Sequence, residues 1–255
     1  MKLIDTHAHI YLDEFSRDME EIVGRAREKQ VDRILMPAID SSTHTAMLEL
    51  EESRSGLFIS MMGLHPCSVK ENYLEELRIV EDWLSSRKFV AVGEIGLDFY
   101  WDVSFKDKQY DAFNQQVGWA LKYDIPIAIH SRNATDECIE VVQEHQKGKL
   151  RGVFHCFSGS LEQSQAIIEA GFYLGIGGVV TYKNAGLDKV VKEIDPRHII
   201  LETDAPYLTP VPFRGKRNES SYLTYILQKL ADTWETNAEE IASITTRNAE
   251  KLFGL

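Results

Sequence analysis

Eight short apolar runs recur along the chain, and their spacing restricts the fold more than any other feature. They cover residues 3–4, 34–36, 58–62, 89–92, 127–129, 152–154, 172–176 and 199–201. Most are rich in Val, Ile or Phe, which is typical of parallel strands that are buried on both faces. Because 255 residues divided among eight runs give about 32 each, every unit has room for one strand, one helix and their loops.

Stretches with apolar side chains at helical spacing lie between these runs. We predict helices within residues 13–29, 105–123, 160–170, 221–231 and 238–252. Ser160 followed by Gln163 matches a capping box, and Gly171 is suited to ending that helix. The alternation predicts an α/β fold, a single-domain (β/α)8 TIM barrel over residues 1–255, with an open doubly wound sheet as the alternative.

The composition restricts the partners of the chain. With 28 basic against 40 acidic residues, the net charge is −12, which argues against a polybasic protein that wraps duplex nucleic acid. Three widely spaced cysteines predict free thiols in a reducing compartment. Because no stretch of about 18 apolar residues occurs, we expect a soluble, cytoplasmic protein without a membrane span. Nothing in the sequence points to an obligate protein partner.

Ionisable side chains follow several runs, where the loops of a barrel build its active site. His7 and His9 come after the first run, and alternate residues of a strand point to the same side. Glu94 follows the fourth run, where a buried carboxylate is costly unless it is paired or bound to a cation. Taken alone, each fits an ordinary role, such as a core histidine or a salt-bridged carboxylate. Their shared position favours a metal site.

Three further ligand candidates follow later runs. His130 and His155 each end a run, and Asp204 comes after the last one. Together with His7, His9 and Glu94 they offer four imidazoles, one carboxylate that could bridge and one terminal carboxylate. Such a set suits two divalent cations, with imidazole favouring Zn²⁺ or Mn²⁺ over Mg²⁺ by affinity, while availability in the cell leaves Mg²⁺ open. Two metals about 3.5–4 Å apart are the usual arrangement for phosphoester hydrolysis.

Cationic and aromatic residues near these positions are candidates for substrate contacts. Arg214 and Arg217 belong to a basic loop after the last run, and Arg132 follows His130 by two residues. A guanidinium can hold phosphate oxygens, although the loop also fits a solvated basic segment. His65 could contact substrate or pack. The aromatic residues 99–101 could stack on bases or pack in the core.

These features form seven short motifs in a fixed order. They are Asp-Thr-His-Ala-His at 5–9, Gly-Leu-His-Pro at 63–66, Gly-Glu-Ile-Gly-Leu-Asp at 93–98, His-Ser-Arg at 130–132, His-Cys-Phe-Ser-Gly at 155–159, Glu-Thr-Asp-Ala-Pro-Tyr-Leu at 202–208 and Arg-Gly-Lys-Arg-Asn-Glu at 214–219. Together they resemble the TatD family of metal-dependent hydrolases and DNases over essentially the whole chain.

The resemblance implies an amidohydrolase-type barrel with one metal on His7, His9 and Asp204, a second on His130 and His155, and Glu94 between them. It implies a deoxyribonuclease that removes nucleotides from the 3′ ends of single-stranded or frayed DNA. A metal-bound hydroxide would attack phosphorus, with Asp204 as general base. The phosphate contacts would come from His65, Arg132, Arg214 and Arg217.

Two rival functions stay open at this point. Some family members deacylate D-aminoacyl-tRNA, and the same two-metal site could open other esters or amides. The second rival is a non-catalytic metal-binding scaffold. One departure from the family pattern concerns the basic loop, because Ser220 stands where the family often has a proline after Arg-Asn-Glu. The role of Cys156, next to His155, is either to tune the site or to pack.

Overall fold

Parallel strands alternate with helices along residues 2–255, the part of the chain that the computed structural model describes. The strands are β1 (Leu3–Asp5), β2 (Val31–Pro37), β3 (Phe58–Met61), β4 (Val92–Asp98), β5 (Ile127–Arg132), β6 (Gly152–Phe154), β7 (Tyr173–Ile176) and β8 (Ile199–Leu201). The helices are α1 (Met19–Glu28), α2 (Ser41–Ser53), α3 (Tyr73–Ser86), α4 (Lys106–Tyr123), α5 (Thr135–His145), α6 (Leu161–Glu169), α7 (Leu187–Lys192), α8 (Leu223–Thr233) and α9 (Ala238–Phe253). None of these helices is long and apolar enough to cross a membrane.

The strands close into a barrel in the order of the chain. One parallel sheet runs from β1 to β3 and a second from β4 to β8. Met62 pairs with Val92 and joins β3 to β4. At the other seam, the Thr6 N–H donates to the Leu201 carbonyl over 3.0 Å, next to β1 and β8. The predicted eight-stranded TIM-type barrel is therefore confirmed.

Side chains alternate along the strands between two apolar layers. One layer lies between the barrel and its helices, and the other fills the barrel interior. The interior set is Ile4, Leu35, Met61, Ala91, Ala128, Val153 and Ile200, with Leu252 and Phe253 of α9 packed against it. Because Thr246 and Asn248 of α9 donate to the carbonyls of Lys2 and Ile199, α9 closes the end of the barrel where the strands begin.

The sequence prediction for the fourth strand is wrong by several residues. Most of the apolar run at 89–92 precedes the strand, and β4 begins at Val92 and continues through Glu94 to Asp98. Val92 lies opposite Ile127 while Ile95 lies opposite Ile129, so β4 carries one extra residue at this point. Such a bulge re-aims the neighbouring side chain. Gly93, Glu94 and Gly96 interrupt the apolar pattern of this strand and hide it from a search for apolar runs.

The predicted helix over residues 13–29 is in fact two elements. A 3₁₀ turn covers Asp13–Phe15, and α1 begins only at Met19. Between them, Asp18 has a non-helical backbone, and its carboxylate is held by the guanidinium of Arg217. The helix predicted at 160–170 is confirmed as α6, with the capping box of Ser160 and Gln163 present.

Candidate metal centre

The candidate site lies at the end of the barrel opposite α9, above the last interior residues of the strands. His130 follows the interior residue Ala128 by two positions, and His155 follows Val153 in the same way. Because alternate strand residues point to the same side, both imidazoles continue the interior face upward. Glu202 stands in the same relation to Ile200 of β8.

Glu94 is the centre of this cluster, and its two carboxylate oxygens face different imidazoles. Its side chain is buried. From Oε2 the distance is 3.1 Å to Nε2 of His7 and 3.4 Å to Nε2 of His9. From Oε1 the distances are 2.8 Å to Nδ1 of His130, 3.0 Å to Nε2 of His155 and 3.3 Å to Nε2 of His65. The bulge in β4 thus carries a carboxylate that lies between two groups of histidines.

Asp204 approaches the same cluster from the segment after β8. Its Oδ1 lies 3.9 Å from Nε2 of His7 and 3.8 Å from Nε2 of His9. These separations are too long for hydrogen bonds, but they fit donors that share one cation. Asp204 has a left-handed backbone with φ of 59°, and its N–H donates to the His7 carbonyl over 2.9 Å. This bond fixes the carboxylate next to the two histidines of the first motif.

Burial and the neighbouring charges determine which groups are ionised. Burial on its own raises the pKa of Glu94, but the imidazoles of His65, His155 and His7 outweigh it and hold that pKa well below its usual range. Burial keeps the pKa of His7 well below its ordinary value, so this ring is neutral and has a free lone pair. Burial also raises the pKa of Asp204 to about 6.

Neighbouring polar groups orient the remaining candidate ligands. The Tyr11 hydroxyl donates to the Pro37 carbonyl over 2.7 Å, so it accepts from Nδ1 of His9 at 2.9 Å. The lone pair of His9 is therefore on Nε2, which faces Glu94 and Asp204. A carboxylate lies beside His130 on β5 and another beside His155, which follows β6; such partners orient the ring of a ligand.

Asp98 and Glu202 are these carboxylates. Nε2 of His130 lies 2.8 Å from Oδ2 of Asp98, so Nδ1 is the atom that faces Glu94, also at 2.8 Å. Burial on its own lowers the pKa of His130, but the hydrogen bonds to Asp98 and Glu94 outweigh it and raise that pKa. Nδ1 of His155 lies 3.3 Å from Oε1 of Glu202 as an ion pair without a hydrogen bond, and Nε2 faces Glu94. Burial on its own lowers the pKa of His155, but the carboxylates of Glu94 and Glu202 outweigh it and hold that pKa well above its ordinary value. Sequence reasoning did not assign a role to either acid or to Tyr11. The signal was present, since both acids belong to the quoted motifs.

His65 differs from the other imidazoles of the cluster. Its Nδ1 accepts the Cys67 N–H over 3.0 Å, so the hydrogen of the neutral ring is on Nε2, the atom that faces Glu94. Burial lowers the pKa of His65, which agrees with a neutral ring. His65 therefore presents a hydrogen-bond donor to the site, and a lone pair for a metal is not available on that side.

The cluster forms the floor of a cavity of about 810 Å³. Arg132 lies on its wall, and Cys67 and Cys156 also line it. The two other predicted phosphate contacts, Arg214 and Arg217, are not among the residues that line it. Arg214 stacks 3.9 Å from the ring centre of Tyr182. Arg217 binds both oxygens of Asp18 at 2.9 and 2.6 Å.

The donor set fits divalent cations. Three overlapping groups have ligand atoms within 4.8 Å of one another: His7, His9 and Glu94; His7, His155 and Asp204; and His65, Glu94 and His130. Across residues 2–255, the ion pairs of Glu94 are all with histidines, and no lysine or arginine neutralises it. Imidazole and carboxylate are the donors that Zn²⁺ and related cations take. The tautomer of His65 argues against the third group as a ligand set.

Comparison with known proteins agrees with this geometry. The family described as TatD related DNase matches residues 4–254. The uncharacterized metal-dependent hydrolase YabD of Bacillus subtilis is 41% identical over 98% of each chain. The 3′-5′ ssDNA/RNA exonuclease TatD of Pantoea ananatis is 30% identical over 99% of this chain and 100% of that protein. The crystal structure of the TatD homologue YjjV from Escherichia coli K12 superposes with a TM-score of 0.94 at 31% identity, covering 99% of this chain and 98% of that one. The chain belongs to the TatD family of metal-dependent hydrolases.

Proposed function

We propose that this protein is a deoxyribonuclease that removes nucleotides from the 3′ ends of single-stranded or frayed DNA, using two divalent cations. The observation that carries the proposal is that the two carboxylate oxygens of Glu94 face different pairs of histidines. Oε2 faces His7 and His9, and Oε1 faces His130 and His155. A carboxylate with one oxygen toward each group of ligands is suited to bridging two cations. The relative from Pantoea ananatis, whose name describes a 3′-5′ exonuclease, supports the choice of substrate.

The candidate ligands divide between the two cations according to their positions around Glu94. His7, His9 and Asp204 would hold one cation, and His130 and His155 the second, with Glu94 shared. Such cations supply Lewis acidity and lower the pKa of a coordinated water. Zn²⁺ and Mn²⁺ match the imidazole-rich set best, and Mg²⁺ remains a candidate through its abundance.

The chain's own residues would position the substrate and move the proton. The carboxylate of Asp204, next to His7 and His9, would accept the proton of the attacking water. The Nε2–H of His65 would donate to a non-bridging phosphate oxygen. Arg132, on the cavity wall, would pair with a phosphate through its planar fork. Because the whole chain carries a charge of −12, this local cationic contact matters more than any attraction over long distances.

A degradation assay tests the proposal. The substrate is a single-stranded oligonucleotide labelled at its 5′ end, given to metal-stripped protein with Mg²⁺, Mn²⁺ or Zn²⁺ added in turn. We expect a ladder of progressively shorter labelled products with at least one ion. Glu94→Gln should abolish it, and Glu52→Gln on the exposed surface of α2 should not. The same oligonucleotide with 3′-terminal phosphorothioates should resist shortening.

Two results would contradict the nuclease proposal. Internal cuts without a 3′ ladder would show a different mode of DNA cleavage. Turnover of a D-aminoacyl-tRNA in a parallel reaction, with the oligonucleotide untouched under every ion, would assign the same centre to ester hydrolysis.

A further inference from the structure

Exposed apolar side chains are concentrated at the mouth of the cavity. Of the nine large hydrophobic side chains that are exposed within residues 2–255, six come from two segments there. The segment after β4 contributes Tyr100, Trp101 and Val103, and the segment after β8 contributes Tyr207, Leu208 and Val211. Trp101, Tyr207 and Leu208 line the cavity itself. Exposed apolar surface that collects at one place marks an interaction site.

The segment after β4 combines this apolar surface with a cation. The guanidinium of Arg132 lies 3.9 Å from the ring centre of Tyr100 and 5.2 Å from that of Trp101. The two aromatic rings meet edge to face at 4.8 Å. We call Tyr100, Trp101 and Arg132 the aromatic rim. Trp101 remains 68% exposed, so most of its indole is available to a ligand.

The backbone of the aromatic rim is held in place. Oδ1 of Asp98 accepts the N–H groups of Tyr100 and Trp101 at 3.0 and 3.1 Å, while Oδ2 of the same carboxylate holds His130. One side chain thus fixes the rim relative to a candidate metal ligand. The free protein presents the exposed indole without having to order this part of the loop first.

The segment after β8 is fixed in a similar way. The Tyr207 N–H donates to the Asp204 carbonyl over 2.8 Å, and Asn218 donates to the Tyr207 carbonyl over 2.7 Å. Half of Tyr207 is exposed. The cavity that contains the candidate metal centre therefore has aromatic side chains on its walls from two segments whose backbones are held by hydrogen bonds.

We propose that Trp101 is the stacking surface for a nucleobase next to the scissile phosphate, with Arg132 pairing to a phosphate beside it. The inference rests on the proposed nuclease function. A flat apolar ring next to a guanidinium matches a nucleotide, which has a π face and an anion a short distance apart. With a net charge of −12, the chain draws little affinity for DNA from general electrostatic attraction. Stacking supplies affinity that does not depend on net charge.

A pair of oligonucleotides isolates the stacking contact. Both carry phosphorothioates at the 3′ end to prevent turnover, and one lacks the bases of its two 3′-terminal nucleotides. Binding to metal-loaded protein is followed by fluorescence anisotropy. We expect wild-type protein to prefer the oligonucleotide with bases. Trp101→Ala should weaken binding of that oligonucleotide about 5- to 100-fold and leave binding of the abasic one unchanged.

Two variants serve as controls. Trp101→Phe keeps an aromatic face and should recover most of the affinity. Leu74→Ala removes another exposed apolar side chain, on α3 and outside the cavity lining, and should have no effect.

The outcomes separate this inference from the function on which it rests. If wild-type protein cleaves unmodified DNA but binds both oligonucleotides equally, the stacking proposal is wrong and the nuclease proposal stands. If Trp101→Ala weakens binding of both oligonucleotides equally, the stacking proposal is also wrong, because the tryptophan would then affect binding through the conformation of its loop and not through contact with a base. If wild-type protein neither binds nor cleaves DNA, both proposals are wrong.

Discussion

Tyr11→Phe tests the argument that hydrogen bonds select the metal-binding tautomers. The substitution removes one hydroxyl from a buried ring and leaves its packing nearly unchanged. Two contacts are lost, the one accepted from Nδ1 of His9 at 2.9 Å and the one donated to the Pro37 carbonyl at 2.7 Å. The lone pair of His9 is then no longer confined to Nε2, the atom that faces Glu94 and Asp204.

The expected magnitudes follow from these two bonds. Removing a partner that orients a metal-ligating histidine typically costs 10–100-fold in metal affinity, or about 1.4–2.7 kcal/mol. Each buried group that is left without its hydrogen bond costs about 1–3 kcal/mol of stability. For a net loss of about 2 kcal/mol, a chain of this size should melt about 4–8 °C lower.

The assay measures both effects on the same protein. Competition with a chromogenic chelator gives the affinity for Zn²⁺, and differential scanning fluorimetry of the metal-stripped protein gives the melting temperature. Tyr207→Phe is the matched control, because that ring also meets His9, edge to face at 6.2 Å, without a hydrogen bond between them. A Zn²⁺ affinity of Tyr11→Phe within twofold of wild type would refute the tautomer argument, whatever the change in melting temperature.

Three other substitutions test separate parts of the structure. Asp98→Asn leaves one acceptor oxygen for both His130 and the backbone of the aromatic rim. We expect 10–100-fold weaker metal binding together with a higher KM for oligonucleotides. A change in only one of these quantities would contradict the idea that Asp98 holds both. Ser220→Pro should raise the melting temperature by about 1–4 °C, because Ser220 begins a 3₁₀ turn after an extended residue, a position that proline fits. A lower melting temperature would show that losing the buried hydroxyl costs more stability than the proline adds. Arg132→Ala should raise the KM for oligonucleotides. Arg217→Ala should leave KM unchanged and lower the free energy of unfolding by at most about 1 kcal/mol, because its partner is Asp18. An equal rise in KM for both variants would show that Arg217 also contacts the substrate.

The sequence contained enough information for the barrel and for the positions of the candidate ligands. Seven apolar runs coincide with the cores of strands because parallel strands are buried on both faces. β4 was misplaced because Gly93, Glu94 and Gly96 interrupt its apolar pattern. Gly96 adopts φ of 134°, and a Cβ there would collide with the His130 carbonyl. Glycine is thus required at position 96 by the close approach of the neighbouring strand β5, and the local pattern of apolar residues contains no information about that contact.

The partners of charged side chains were harder to predict than their positions. Arg217 was expected at the substrate phosphate, yet its partner is Asp18, 199 residues earlier in the chain. A guanidinium pairs equally well with a phosphate and with a carboxylate, so residue type alone does not decide between them. The same limit applies to Asp98 and Glu202. Both acids are conspicuous in the sequence, but their roles depend on which ring nitrogen of a distant histidine they meet.

The division of the site between strands and loops has a consequence for specificity. His130 lies on β5 with its ring on the barrel interior, so its position depends on the packing of the core. Trp101 and Tyr207 lie on exposed segments, where substitutions cost little stability. Substrate preference can therefore change through these segments while the candidate metal centre stays the same. Asp98 is the exception, because one carboxylate holds both His130 and the backbone of the aromatic rim. A variant with altered substrate preference but intact metal binding should retain Asp98 and differ at the rim side chains.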